Sequence, residues 1–251
     1  MVVLNRLMDR QESALSWQPK SQRAELPVWK RALDLTFVLL ISPAWVVLGG
    51  MVAVVVRFGS RGPIFFRQVR IGQKGRPFTC YKFRTMKVDA ETDSHRRHTQ
   101  TLIKTAAPMI KLDACNDPRL IPLGSALRAT GLDELPQVLN IFRGDMSLVG
   151  PRPCLLYEYE AYEPRHRHRL DAAPGLTGLW QVSGKNRTTF EEMVRLDIEY
   201  SKRLSLLLDL KIILKTLPAL WTQCGDLRAA KRQDVARRPR TVGKTVETYR
   251  L

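Results

Sequence analysis

The sequence of 251 residues has only four cysteines, Cys80, Cys115, Cys154 and Cys224, and they are spread too widely for a CxxC pair. A disulfide framework or a cysteine-based zinc site therefore has no basis. Acidic residues are also scarce: 24 Asp and Glu stand against 41 Lys and Arg, a formal net charge of +17. The glycine patterns of several enzyme classes are missing. No GxGxxG and no GxSxG occurs, and Gly243-Lys244-Thr245 has Arg238 where a P-loop needs its upstream glycine. Kinase, P-loop NTPase and serine-hydrolase readings fall away. No secretory leader is expected, so a reduced, cytosol-facing chain is the default and the sequon Asn186-Arg187-Thr188 carries no glycosylation meaning. A length of 251 residues still permits one or two domains with a sizeable core. A basic balance this strong calls for an anionic partner: nucleic acid, an anionic membrane surface or a phosphorylated substrate.

One long apolar run is present. The 22 residues LTFVLLISPAWVVLGGMVAVVV, between Asp34 and Arg57, contain no ionisable side chain. As a helix they would measure about 33 Å, against a hydrocarbon core of about 30 Å. A membrane-embedded helix is the expectation. Basic residues flank both sides, with Arg23, Lys30 and Arg31 before and Arg57, Arg61, Arg67 and Arg70 after, so charge does not assign the two ends to opposite faces. Ser42-Pro43 interrupts the run, because proline removes a backbone donor and a serine hydroxyl can serve the freed carbonyl. Two readings follow: a kinked span, or a helix that enters, bends at Ser42-Pro43 and returns.

Beyond it, PIFFRQVRIG and RPFTCYKFRTM read as a β-hairpin around Gly72-Gln73-Lys74-Gly75. Residues 61–87 hold eight basic residues and no acidic one, a block suited to lipid headgroups or a phosphorylated substrate. Lys82 and Arg84 alternate with Tyr81 and Phe83 and so share a strand face. Residues 88–118 read as a polar loop, and the arginines inside His95-Arg96-Arg97-His98 would repel a metal ion. In LDELPQVLNIFRGD, Leu132, Leu135, Leu139 and Phe142 recur at helical spacing and predict a core stripe. Pro136 belongs in a helix's first turn, which places Asp133 and Glu134 at the start. There a carboxylate is either a cap or a group that attacks phosphorus beside phosphate-binding N–H groups. Arg152, between Pro151 and Pro153, is either a surface arginine on a turn or a stiffly held phosphate fork. SLLLDLKIILKTLPALW is a core helix or an interfacial one. The tail from residue 226 has eight basic and three acidic residues and reads as disordered.

Taken together, KFRTM (82–86), LRATGLDELPQVLNIFRGDMSLVGPRP (127–153), PGLTGLWQVSGKNR (174–187) and LDIEY (196–200) resemble the bacterial sugar transferases. More narrowly, they resemble the small form of the monotopic polyprenyl-phosphate phosphoglycosyl transferases that begin exopolysaccharide synthesis. The resemblance implies a mostly helical α+β fold with a Ser42-Pro43 re-entrant membrane helix, a short hairpin and interfacial amphipathic helices. It divides the chain into a polar arm (1–28), the re-entrant helix (29–58), a cytosolic catalytic domain on the membrane surface (59–225) and the basic tail (226–251). It implies transfer of a sugar 1-phosphate from a UDP-sugar to undecaprenyl phosphate with release of UMP. Asp133 would be the nucleophile, and Glu134, with Asp133, the ligand of Mg²⁺. Arg128, Arg152, Lys82 and Arg84 would contact substrate phosphates. The expected setting is the bacterial inner membrane with the active site on the cytosolic face. Expected partners are the UDP-sugar, undecaprenyl phosphate and anionic lipid, with a homodimer permitted and no nucleic acid. Gly131 stands where the family often has Ser or Thr, and Lys185 where it commonly has Arg. The competing readings are a membrane-tethered nucleic-acid-binding protein, which lacks any reader motif, and a non-catalytic scaffold for polysaccharide assembly, which needs no acidic dyad.

Overall fold

The apolar run folds as α1 (Val28–Gly59), 32 residues and so about 48 Å long. This computed structural model describes residues 23–88, 93–105, 107–109, 117 and 119–237, so most of the predicted arm and the last part of the tail lie outside the described residues. Pro43 sits inside α1 and has no N–H for the Leu39 carbonyl four residues back. Ser42 Oγ donates to that oxygen instead, at 2.8 Å, as the sequence predicts.

Little of α1 is covered by protein. A narrow face buries Lys30, Asp34, Val38, Val52 and Val56, whereas Leu39, Leu40, Val46, Val47, Met51 and Val54 are each more than half exposed. Among the described residues it is the one helix long and apolar enough to cross a membrane. Yet both of its ends rest on the same body. Near the start, Lys30 Nζ donates to the Tyr200 hydroxyl (2.9 Å) and pairs with Asp209. Arg31 donates to the carbonyls of Ile141 (2.6 Å) and Phe142 (2.7 Å). Asp34 Oδ1 accepts from Ser147 Oγ (3.0 Å) and Leu148 N (2.9 Å). At the middle, Trp45 Nε1 donates to the Leu135 carbonyl (2.8 Å). Near the end, Val52 and Val56 pack with Phe83, Ile121 and Leu127.

The hairpin forms as predicted. β1 (Phe65–Ile71) pairs antiparallel with β2 (Pro77–Phe83), Phe65 opposite Phe83 and Ile71 opposite Pro77. Lys74 adopts φ 55° in the turn between them. The polar stretch after β2 is not wholly loop, because α2 (Asp93–Lys104) lies within it and buries Leu102. Next come α3 (Gly124–Thr130), a 3₁₀ turn (Leu132–Gln137) and α4 (Val138–Arg143). β3 (Ser147–Val149) pairs parallel with β4 (Gly175–Thr177) across the short helices α5 (Leu156–Glu160) and α6 (Pro164–Arg167). After β4 follow α7 (Leu179–Val182), α8 (Phe190–Lys202) and α9 (Leu206–Arg237). The fold is α+β and mostly helical.

Three sequence expectations change. The stripe Leu132, Leu135, Leu139 and Phe142 splits: Leu132 and Leu135 pack against the cluster of Val52, Val56, Phe83, Ile121 and Leu127, whereas Leu139 and Phe142 are exposed and Val138, Asn140 and Ile141 are the buried face of α4. The 3₁₀ turn ahead of α4 breaks the α-helical period, so spacing counted across Pro136 mis-phases the faces. The long C-terminal helix is both core and surface. Ile212 is buried, while Leu207, Leu210, Leu214, Leu217 and Trp221 are exposed along one stripe. Finally, α9 runs past Gly225 to Arg237, so the first part of the predicted tail is helical.

Removing one partner of a buried charge pair leaves the other uncompensated, at about 3–5 kcal/mol. Lys30→Met should therefore lower unfolding stability in detergent by roughly that amount, and Lys30→Met/Asp209→Leu should recover much of it. Chemical denaturation of the three proteins checks both outcomes.

Candidate active site

The acidic pair arises where two short helices meet. Gly131, at φ 74°, ends α3 in the left-handed region that glycine enters without strain, and Glu134 N donates back to its carbonyl at 3.0 Å. Glycine is the residue that enters this conformation most easily, and a Cβ here would meet only Leu220 at 4.0 Å. Asp133 and Glu134 fall in the first turn of the 3₁₀ segment, with Pro136 following as the sequence predicts. Asp133 is buried, and the Glu134 side chain is 30% exposed.

β2 supplies the first cation. Lys82 Nζ stands 2.6 Å from Glu134 Oε1, with only 17% of its side chain exposed. Asn140 fixes the strand beside the turn: its Oδ1 accepts from Tyr81 N (3.1 Å) and its Nδ2 donates to the Thr79 carbonyl (2.6 Å). Lys185, in left-handed backbone at φ 41°, is the second. Burial pushes its ammonium below the usual lysine range, the Glu134 and Asp133 carboxylates pull it back up, and Arg152 and Lys82 push it further down. Lys82, Asp133, Glu134 and Arg152 thus all lie within electrostatic reach of Lys185.

Arg152 reaches that neighbourhood from a loop tied at every residue. Gly150 N donates to the Thr177 carbonyl (2.8 Å), and Gly175 N donates to the Pro151 carbonyl (2.9 Å). Arg169 donates to the Arg152 carbonyl (3.1 Å), Arg70 to the Pro153 carbonyl (3.1 Å), and Ile71 N to the Cys154 carbonyl (2.9 Å). A Cβ on Gly150 would stand 2.1 Å from the Ala173 oxygen, so only glycine lets the backbones approach this closely. Arg169 is itself held in the interior by Asp197, at 2.6 and 2.9 Å, and by the Tyr162 hydroxyl. Burial pushes the Asp197 carboxyl up, and the Arg169 guanidinium opposes that rise.

One predicted phosphate contact sits elsewhere. Arg84 is buried just beyond the end of β2, and its guanidinium donates to the Pro63 carbonyl (2.6 Å), the Ser60 carbonyl (2.8 Å) and Ser60 Oγ (3.1 Å). It stitches the exit of α1 to the hairpin, so it leaves the face that the strand period gave it in common with Lys82. Arg128 lies half-buried in the last turn of α3, where its charge helps Arg119 hold the Asp117 carboxyl below the usual range. Arg70 and Arg169, which fix the Arg152 loop, carry no local sequence signal, since each acts on residues far away in the chain. Asp197, within LDIEY, is the only member of that support that a motif pointed to.

A buried aspartate and a partly exposed glutamate among lysines and an arginine, beside a helix with a lipid-ready face, define a membrane-associated enzyme. The chain belongs to the bacterial sugar transferase family, whose model matches residues 26–223. It is 40% identical over 217 residues to the galactosyl transferase CpsE of Streptococcus agalactiae, a match covering 85% of this chain and 46% of CpsE, so it spans less than half of that relative. It is 41% identical over 208 residues to the exopolysaccharide production protein ExoY of Sinorhizobium fredii, covering 78% of this chain and 87% of ExoY. It is also 39% identical over 208 residues to the UDP-glucose:undecaprenyl-phosphate glucose-1-phosphate transferase of Caulobacter vibrioides, covering 80% of this chain and 72% of that protein.

Lys82 and Arg84 should separate under mutation. Arg84→Ala, losing three part-buried charge-assisted bonds, should lower unfolding stability by about 2–4 kcal/mol, whereas Lys82→Met should change it by less than about 1 kcal/mol. Thermal denaturation in detergent compares them.

Proposed function

We propose that the protein transfers a sugar 1-phosphate from a UDP-sugar to undecaprenyl phosphate, as the first membrane step of exopolysaccharide synthesis. The observation that carries this reading is the Asp133-Glu134 pair with Lys82 at 2.6 Å from Glu134 and with Arg152 and Lys185 in the same electrostatic neighbourhood. Names of relatives that include a lipid-carrier glucose-1-phosphate transferase and a UDP-galactose-lipid carrier transferase support it.

The Asp133 carboxylate attacks the β-phosphorus of the UDP-sugar. A bond forms between its oxygen and that phosphorus, the bond to the bridging oxygen breaks, and UMP leaves with the electron pair. A phosphate oxygen of the lipid then attacks the same phosphorus and returns the Asp133 carboxylate. Arg152, Lys82 and Lys185 surround the charge that grows on phosphate oxygens, and the tied loop keeps the Arg152 guanidinium in place before substrate arrives. The two carboxylates suit Mg²⁺, a hard cation that takes one or two carboxylates and completes its shell with substrate phosphates and water. Glu134, with Asp133 beside it, would hold the ion, which offsets diphosphate charge when bound. With Arg84 tied to Ser60 and Pro63, the phosphate contacts assigned to this chain are Arg152, Lys82, Lys185 and Arg128.

The re-entrant topology draws support from α1, whose two ends and midpoint touch one body, so that no end is left to stand alone on a far side. The body then sits on the cytosolic face of the inner membrane, where a UDP-sugar reaches it.

Purified protein with undecaprenyl phosphate, Mg²⁺ and a panel of UDP-sugars should release UMP. Asp133→Asn should stop release and abolish the phosphosugar adduct seen by intact-protein mass spectrometry; undiminished turnover would remove Asp133 as nucleophile. Lys82→Met should lower kcat/KM about tenfold or more, the size of one charge-assisted hydrogen bond. For topology, single cysteines at positions 20 and 61 should react with an impermeant maleimide from the same face of membrane vesicles, and labelling from opposite faces overturns re-entry.

A further inference from the structure

Four arginines gather around the C-terminal end of α4 on the side of the hairpin away from Lys82. Arg143 donates to the Tyr81 hydroxyl at 2.6 Å and stands 5.0 Å from the centre of its ring, and Arg67, opposite Tyr81 on β1, stands 6.0 Å from the same centre. Arg31 reaches the last carbonyls of the helix, and the Arg23 side chain lies against Gly144 just beyond it. Among the described residues none of the four has a carboxylate within ion-pair distance, in contrast to Lys30, Lys82 and Arg169. Arg23, Arg67 and Arg143 are exposed.

The apolar surroundings distinguish this group from a solvated charged face. Phe142 and Leu139 are 58% and 38% exposed on α4, Phe65 is 49% exposed on β1, and α4 lies against α1, whose exposed leucines and valines continue the surface. Unpaired guanidiniums on one aromatic ring, bordered by apolar side chains open to solvent, match a molecule with an anionic phosphate head and acyl tails.

We infer that Arg67, Arg143 and Tyr81, with Arg23 and Arg31 at the edge, form a binding site for the headgroup of an anionic phospholipid. The site is separate from the reaction centre. Tyr81 and Lys82 are neighbours on β2 and point to opposite faces, and Asn140 clamps the strand edge at Thr79 and Tyr81. A phosphate on Arg67 and Arg143 therefore lies on the other side of the strand from Asp133 and Glu134, out of reach of the acceptor's reacting phosphate. The site anchors the hairpin to the membrane surface next to the active site. It rests on the membrane-lying orientation proposed above and not on the reaction.

The test reads binding without turnover. Full-length protein in a neutral detergent is titrated with dioctanoyl phosphatidylglycerol, dioctanoyl phosphatidylcholine and farnesyl phosphate, following tryptophan fluorescence. Phosphatidylglycerol should bind about tenfold or more tightly than phosphatidylcholine, and Arg67→Gln/Arg143→Gln should erase the difference. UMP release by the double variant at saturating substrate in detergent should match the parent, which shows that it is folded. Equal affinity for the two phospholipids, or a preference that survives the double substitution, overturns the site. So does displacement of phosphatidylglycerol by farnesyl phosphate at equal concentration, which would assign the arginines to the acceptor.

Discussion

A lysine, a tyrosine hydroxyl and an aspartate, all removed from water, hold the base of α1 against α8 and α9. Lys30, Tyr200 and Asp209 are each no more than 1% exposed. A helix whose outer face suits lipid has little apolar preference for a protein surface over a bilayer, so burial alone would not fix where it sits. A buried charge pair does, because its partners must meet at one place or leave uncompensated charges behind. The Tyr200 hydroxyl also lies 3.0 Å from the carbonyl of Val149, the last residue of β3. The chain leaves that strand directly into the Arg152 loop. The attachment of the apolar helix and the seating of Arg152 thus share one hydroxyl.

The same economy explains much of the basic composition. Lys30, Arg70, Arg84 and Arg169 are all under a tenth exposed, and each is satisfied by carboxylates, amide oxygens or backbone carbonyls. The three arginines act as donors to backbone that lacks regular pairing: the exit of α1, the loop at 150–154 and the start of the hairpin. Loops that run inside a protein need such donors, since an unsatisfied buried carbonyl costs about 1–3 kcal/mol. A net charge of +17 is therefore not one property. Part of it is internal scaffolding, part surrounds the acidic pair, and part faces the surface unpaired.

Local signals carried the sequence reading far. The uncharged run, the hairpin turn, Pro136 behind an acidic pair and the Ser42-Pro43 step each reflect constraints that act within a few residues, and the structure keeps them all. What failed were inferences needing more distant information. Arg84 seemed equivalent to Lys82 by strand alternation, but the strand stops at Phe83 and the chain turns towards Ser60. Leu139 and Phe142 seemed to be core because a 3₁₀ turn cannot be told from an α-turn by apolar spacing. The Arg70 and Arg169 supports of the active-site loop were invisible, since their partners lie 83 and 17 residues away. The helix beyond Gly225 was hidden by a composition that scores as disordered.

The depth of the acidic pair follows from α1 as well. Trp45, midway along the helix, donates its indole N–H to the carbonyl of Leu135, two residues after Asp133. Phe37, Ile41 and Trp45 pack on the core that includes Val138 and Ile141 of the adjoining helix. The turn that carries Asp133 is therefore fixed to the helix that sits in lipid, and the exposed Leu139 and Phe142 follow it on the same side of the molecule. In the proposed reaction the acceptor is a lipid whose phosphate stays at headgroup height while its chain remains in the bilayer. A nucleophile on a mobile loop would have to find that plane at every turnover. A nucleophile hydrogen-bonded through its own turn to the membrane helix is held at one depth beforehand, so that only the soluble UDP-sugar has to diffuse to it.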